Sequence, residues 1–113
     1  GTPEMSSDEQ RTQAAHLLLE RVELKRDIAQ LKADLMKRAD AFVKLGNLLR
    51  SSPQVIVMDD QDIPTEQAAR AQKFSSEEFD SKRIAALVGE LRAKADRLVA
   101  VEQEIRGMGY SPE

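Results

Sequence analysis

The sequence predicts an all-α fold: a long helical hairpin of coiled-coil character, with a short helix in its connection, assembling into a four-helix bundle. Three observations predict it. Apolar residues recur in heptads along two long stretches. A helix-start signal, Phe74-Ser75-Ser76-Glu77-Glu78-Phe79, stands between them. The composition is 41% apolar with three Phe, one Tyr and no Trp, so Leu, Ile, Val and Ala must build the core, as in bundles. At 113 residues the chain is a single domain.

The first helix is expected over residues 7–51, with Ser6-x-x-Glu9 as a capping box at its start. Leu17, Leu24, Leu31 and Leu45 take heptad position d, and Ile28, Leu35, Phe42 and Leu49 take position a. Arg21 at a and Arg38 at d interrupt this seam. A second stripe, Ala15, Val22, Ala29, Met36 and Val43, repeats at position b, with Leu18 and Ala39 at e between stripe and seam. The apolar arc is wider than a two-stranded coil needs, so this helix calls for two neighbours.

The last helix is expected over residues 76–108, with a tail at 109–113. Ser75 caps its start, Glu78 completes the capping box, and Phe74 and Phe79 form the hydrophobic staple. Ile84, Leu91, Leu98 and Ile105 take a, and Leu87, Val101 and Met108 take d, with Lys94 as the break. Ala85, Val88, Ala95 and Val99 widen this arc as well. Gly89 lies inside the helix at a propensity cost of roughly 1 kcal/mol against Ala, either by chance or to admit another helix, and Gly107-Met108-Gly109 ends it. Pairs such as Asp34–Arg38, Glu90–Lys94 and Glu102–Arg106 put the acid first at i,i+4, the favourable order on a solvated face.

The connection at 52–75 is long for a helical hairpin. Val55-Ile56-Val57-Met58 reads as an extended strap over the helix ends, or as a strand for a partner or a twin chain. Ile63-Pro64 opens a short helix running to Lys73. At about 1.5 Å per residue the first helix is roughly 65 Å long and the last roughly 47 Å. A hairpin registered at its loop therefore leaves Leu17, Leu18, Val22 and Leu24 uncovered. Residues 1–6 are expected as a disordered N-terminus, with Gly1–Glu4 a tag scar ahead of Met5.

The net charge of −3 provides no footprint for nucleic acid, and no apolar stretch approaches the roughly 20 residues that span a bilayer. The absence of Cys excludes thiol chemistry and fits a cytoplasmic location. Asp59, Asp60 and Asp62 lack the glycine and distal Glu of a calcium loop. His16 is the only His, too few for a zinc site. No metal, cofactor or small-molecule substrate is expected. Arg21, Arg38 and Lys94 either set helix register and bury their stems, or hold an anion or an acidic partner.

Glu20-Arg21-Val22-Glu23-Leu24, followed by Ile28 and Lys32, resembles the first helix of the all-helical chorismate mutases. The resemblance covers about 13 residues and implies that Arg21 and Lys32 grip a carboxylate and an ether oxygen. The family's N-terminal Arg would fall near Glu4, and its acidic residue and late Gln have no counterpart downstream. Separately, Thr65–Lys73 followed by the Ser75-capped helix resembles a helix-turn-helix, though its second helix opens on Glu77, Glu78 and Asp80, which repel phosphates.

The residues therefore favour a non-enzymatic helical interaction module, either a homodimer or a small adaptor subunit bound to a helical partner. Val22, Met36 and Val43 of the first helix, with Val88 and Val99 of the last, are the expected contacts, and Leu17 and Leu18 lie at the uncovered end. A nucleic-acid-associated helical protein and a mutase-like enzyme are the alternatives.

Overall fold

The computed structural model describes residues 7–63 and 65–112. Residues 1–6, expected to be disordered, and Pro64, placed by sequence at the start of a short helix, lie outside the described residues. The chain forms helix α1 (Ser7–Ser51), strand β1 (Ile56–Met58), strand β2 (Gln72–Phe74) and helix α2 (Ser81–Gly107). Three 3₁₀ turns, Pro53–Val55, Thr65–Arg70 and Ser76–Phe79, lie between the helices. The two long helices make a helical hairpin. The chain divides into two compact units, residues 1–31 with 89–113, and residues 32–88.

In the first unit α1 and α2 run antiparallel. Ion pairs join Glu20 to Arg97, Arg21 to Glu102 and Asp27 to Lys94, so numbers rise on one helix as they fall on the other. Leu17, Leu24, Val101 and Ile105 form the core, with Leu98 and Met108 packed against it. These are the a and d residues of the heptads, and burying them supplies most of the force that holds the pair together. Leu17 and Leu24 are therefore covered by this chain's own α2, not left open as a hairpin registered at its loop would leave them.

The end of α2 follows from Gly109. Its φ of +86° is the left-handed conformation that glycine adopts without strain. The Tyr110 N–H then reaches Ile105 O at 3.2 Å and the Gly109 N–H reaches Arg106 O at 2.9 Å. This is the Schellman arrangement, and it satisfies carbonyls that a helix end otherwise leaves open.

In the second unit the connection folds back along α1. Phe79 meets Phe42 edge-on at 4.9 Å, nine residues before α1 ends. Phe74 lies 6.0 Å from Phe79, which realises the staple around the capping box. Phe74 is buried, and Lys44 Nζ stands 5.7 Å from its ring centre.

The capping box forms as read: Ser75 accepts from the Glu77 N–H, and the Glu78 carboxylate accepts from the Ser75 N–H at 3.3 Å. It starts a 3₁₀ turn, however, and not α2. Asp80 is the cap of α2, accepting from the Lys82 N–H at 3.0 Å and the Arg83 N–H at 3.3 Å. Two caps in succession let the chain turn before the long helix begins.

Val55–Met58 is neither a loose strap nor a strand awaiting a partner. Ile56–Met58 pairs in parallel with Gln72–Phe74, with Ile56 opposite Gln72 and Met58 opposite Phe74. The expected helix through Lys73 is a 3₁₀ turn at Thr65–Arg70 followed by β2. The first helix of a helix-turn-helix is thus absent from that segment. Residues 59–71 supply the crossover of about a dozen residues that parallel strands require.

Candidate functional site

The three cations that interrupt the heptad seams all have acidic partners within the chain. Arg21 Nε donates to Glu102 Oε1 at 3.3 Å, and Lys94 Nζ donates to Asp27 Oδ2 at 2.9 Å. Arg38 makes four bonds: to Asp34 Oδ1 at 3.0 Å, Glu77 Oε1 at 3.1 Å, Glu77 O at 2.8 Å and Glu78 O at 3.3 Å. It is 8% exposed, the one buried charged residue among the described residues. The Glu77 carboxylate, then Asp34, hold its guanidinium above the ordinary arginine pKa. Its planar fork clamps the 3₁₀ turn onto α1, a geometry that Lys does not reproduce. Asp27 likewise raises the Lys94 pKa. Arg97 grips Glu20 with two bonds, at 2.7 and 3.0 Å, which lower the Glu20 pKa and raise its own.

These ion pairs join α1 to α2 in the first unit and to the 3₁₀ turn in the second. The Arg21 guanidinium, which the mutase resemblance assigns to a substrate carboxylate, donates instead to Glu102. Lys32 is on the exposed side of α1. In the acidic loop, the Asp59 carboxylate accepts from the Ser76 hydroxyl and from the Ser76 N–H, the latter at 2.7 Å. The hydroxyl bond and then the N–H bond depress its pKa. No group of three potential metal ligands occurs among the described residues. A cleft of about 440 Å3 beside β1 includes Val55, Val57 and Ile63, and Asp62 is the one titratable residue among its described lining.

The sheet edges are closed. The Asp59 N–H donates to Phe74 O at 2.8 Å, so Val57 and Asp59 face β2 while Ile56 and Met58 face outward. The Ile56 N–H is taken by Pro53 O. The Met58 N–H donates to the Gln61 side chain at 2.8 Å, and Met58 O accepts from the Gln61 N–H at 3.1 Å. On β2 only Lys73 faces outward, between Ala71, whose N–H meets Ala68 O, and the capped Ser75. A partner strand finds one residue to pair with, and that residue is a lysine.

The open surface is on the helices. Leu18 (36%), Val22, Met36, Val43, Val88 and Val99 are all exposed, together with Leu19, Phe42, Leu49 and Tyr110. Leu17, placed with them by sequence, is 6% exposed and belongs to the hairpin core. Sequence reasoning passed over Leu19 at position f, beside the stripe, although its spacing from Val22 was a usable signal.

In the first unit the two edges of the hairpin differ. In an antiparallel pair the g positions of the helices are neighbours, and so are the e positions. The g edge holds Glu20, Asp27, Glu90, Arg97 and Glu104, and Arg97 bonds both Glu20 and Glu104 there. The e and b positions present Ala15, Leu18, Val22 and Ala29 from α1 and Ala95 and Val99 from α2, all exposed. One edge is thus closed by ion pairs, and the other sets these exposed apolar residues among Arg11, Lys25, Arg92, Glu102 and Arg106 at the same e and b positions.

Comparison of the chain with protein-family models, with curated proteins and with solved structures finds no match. Among the described residues, no helix is long and apolar enough to cross a membrane.

Proposed function

We propose that this protein works by helix-on-helix association, as an interaction module whose apolar helical face docks another helix. One observation carries the reading. Among the described residues, ten large apolar side chains are exposed while eight apolar residues, one of them an alanine, are buried. Isolated exposed apolar residues are ordinary, but a stripe of them along helices that run beside each other marks a contact surface. The buried seam residues hold the hairpin, and of the ten exposed side chains Leu18, Val22 and Val99 in the first unit and Met36, Val43 and Val88 in the second stand at b or e and remain for a second contact, while Phe42 and Leu49 are exposed seam positions. A four-helix bundle, from two copies or from this hairpin and a helical partner, is the arrangement that covers such a face.

Light scattering after size exclusion tests this, on the chain alone and after addition of amphipathic helical peptides. The expected result is a mass above that of one chain in at least one condition, lost in the Val22→Glu, Val99→Glu double variant while helix content by circular dichroism persists. A chain that stays monomeric with every peptide overturns the reading.

A further inference from the structure

Charge on the open face identifies its occupant. Within the first unit, the apolar patch of Leu18, Val22 and Val99 is bordered by Arg11, Lys25 and Arg26 on α1 and by Arg92 and Arg106 on α2. All five are exposed. Among the described residues none of the five takes part in an ion pair. The acids on this side are Asp8, Glu23 and Asp96 at its margins and Glu102, whose carboxylate is engaged by Arg21. The opposite edge carries Glu20, Asp27, Glu90 and Glu104 against Arg97 and Lys94, which are already bonded there. Within the first unit, the cations that no ion pair engages are therefore all on the side of its apolar patch.

This distribution opposes a second copy. A two-fold dimer brings the same patch of both chains together, so the five cations of one copy would meet the five of the other. Like charges placed across an interface select against that partner. An anionic bilayer matches the charge as well, but the patch is shared by two antiparallel helices, Leu18 and Val22 on one and Val99 on the other, and side chains of a third helix pack across such a pair.

Resting on the reading of this face as a docking surface, we propose that its occupant is an acidic amphipathic helix of a different protein. The apolar stripe of that helix lies over Leu18, Val22 and Val99, and its flanking carboxylates meet Lys25, Arg26 and Arg92.

The test uses the full chain and two labelled synthetic helices that share a Leu/Ala face, one flanked by Glu and the other by Lys, followed by fluorescence anisotropy. The Glu helix is expected to bind about tenfold or more tightly than the Lys helix, with affinity falling as salt rises. The Lys25→Glu, Arg26→Glu double variant is expected to reverse that preference, and Val22→Ser with Val99→Ser to weaken both peptides, with helix content unchanged. Equal binding of the two helices overturns the acidic partner and leaves helix docking standing. A dimer of the chain alone that Val22→Glu and Val99→Glu dissociate does the same, whereas a monomer that binds phosphatidylserine vesicles and neither helix overturns both inferences. A monomer that binds neither helix and no vesicle overturns both inferences.

Discussion

Gly89, inside α2, and Gly109, just past its end, respond oppositely to alanine. Neither position has an atom within 4 Å of where a Cβ would sit, so packing does not decide. Gly89→Ala is expected to stabilise the protein by about 1 kcal/mol, the helix propensity difference. Gly109→Ala is expected to cost about 1 kcal/mol, because φ of +86° is strained for any L side chain. Urea denaturation of the two variants reads both signs. Asp59 gives a second residue-scale prediction. It also has a positive φ, 53°, and its carboxylate is held by Ser76. Its pKa is depressed in the folded chain, so its contribution is present above the unfolded carboxylate value and is lost as pH falls through the lower folded value. NMR titration of the Asp59 side chain is expected to give a midpoint below the ordinary value, and Ser76→Ala to return it upward. The carboxylate–serine bond joins residues 17 apart in sequence, so nothing local announced it. The Schellman glycine, by contrast, was legible, because the conformation demands glycine wherever the helix stops.

At the scale of elements, periodicity separated what could be read from what could not. The helices carry their pattern over many turns, and the a and d positions named from sequence include the buried Leu17, Leu24, Leu87, Val101 and Ile105. Three-residue strands carry no such signal. Gln72–Phe74 has one apolar residue, and it forms a strand because Ile56–Met58 lies beside it and Phe74 is drawn into the aromatic cluster. The start of α2 was misplaced because two caps, Ser75 and Asp80, stand five residues apart, and either reads as a beginning. The small sheet depends on its local closures. Gln61→Ala removes the acceptor of the Met58 N–H, and the expected cost is about 1 kcal/mol with faster amide exchange at Met58. Phe79→Ala removes the ring between Phe42 and Phe74, with an expected loss of about 2 kcal/mol and faster exchange at Glu78 and Asp80, whose N–H groups close the 3₁₀ turn.

For the whole molecule, the balance of buried and exposed apolar surface governs behaviour. The described core is eight apolar residues, and its burial is what holds the fold. Whatever binds the folded form alone adds to its stability by mass action. The candidate face was legible as a stripe because position b repeats every seven residues, but its exposure was not, since sequence cannot tell a stripe that packs within a chain from one left open. The two units also offer separate faces: Val22 and Val99 in the first, Met36, Val43 and Val88 in the second. The charged borders described above belong to the first. Thermal denaturation with the Glu-flanked helix therefore distinguishes them. At about one hundred times its dissociation constant the peptide is expected to add about 2.7 kcal/mol, and the melting temperature rises with peptide concentration. Met36→Glu with Val43→Glu is expected to leave that rise intact, and Val22→Glu with Val99→Glu to remove it. The reverse pattern would place the docking face in the second unit, because a ligand stabilises a fold only through the residues whose native arrangement it requires.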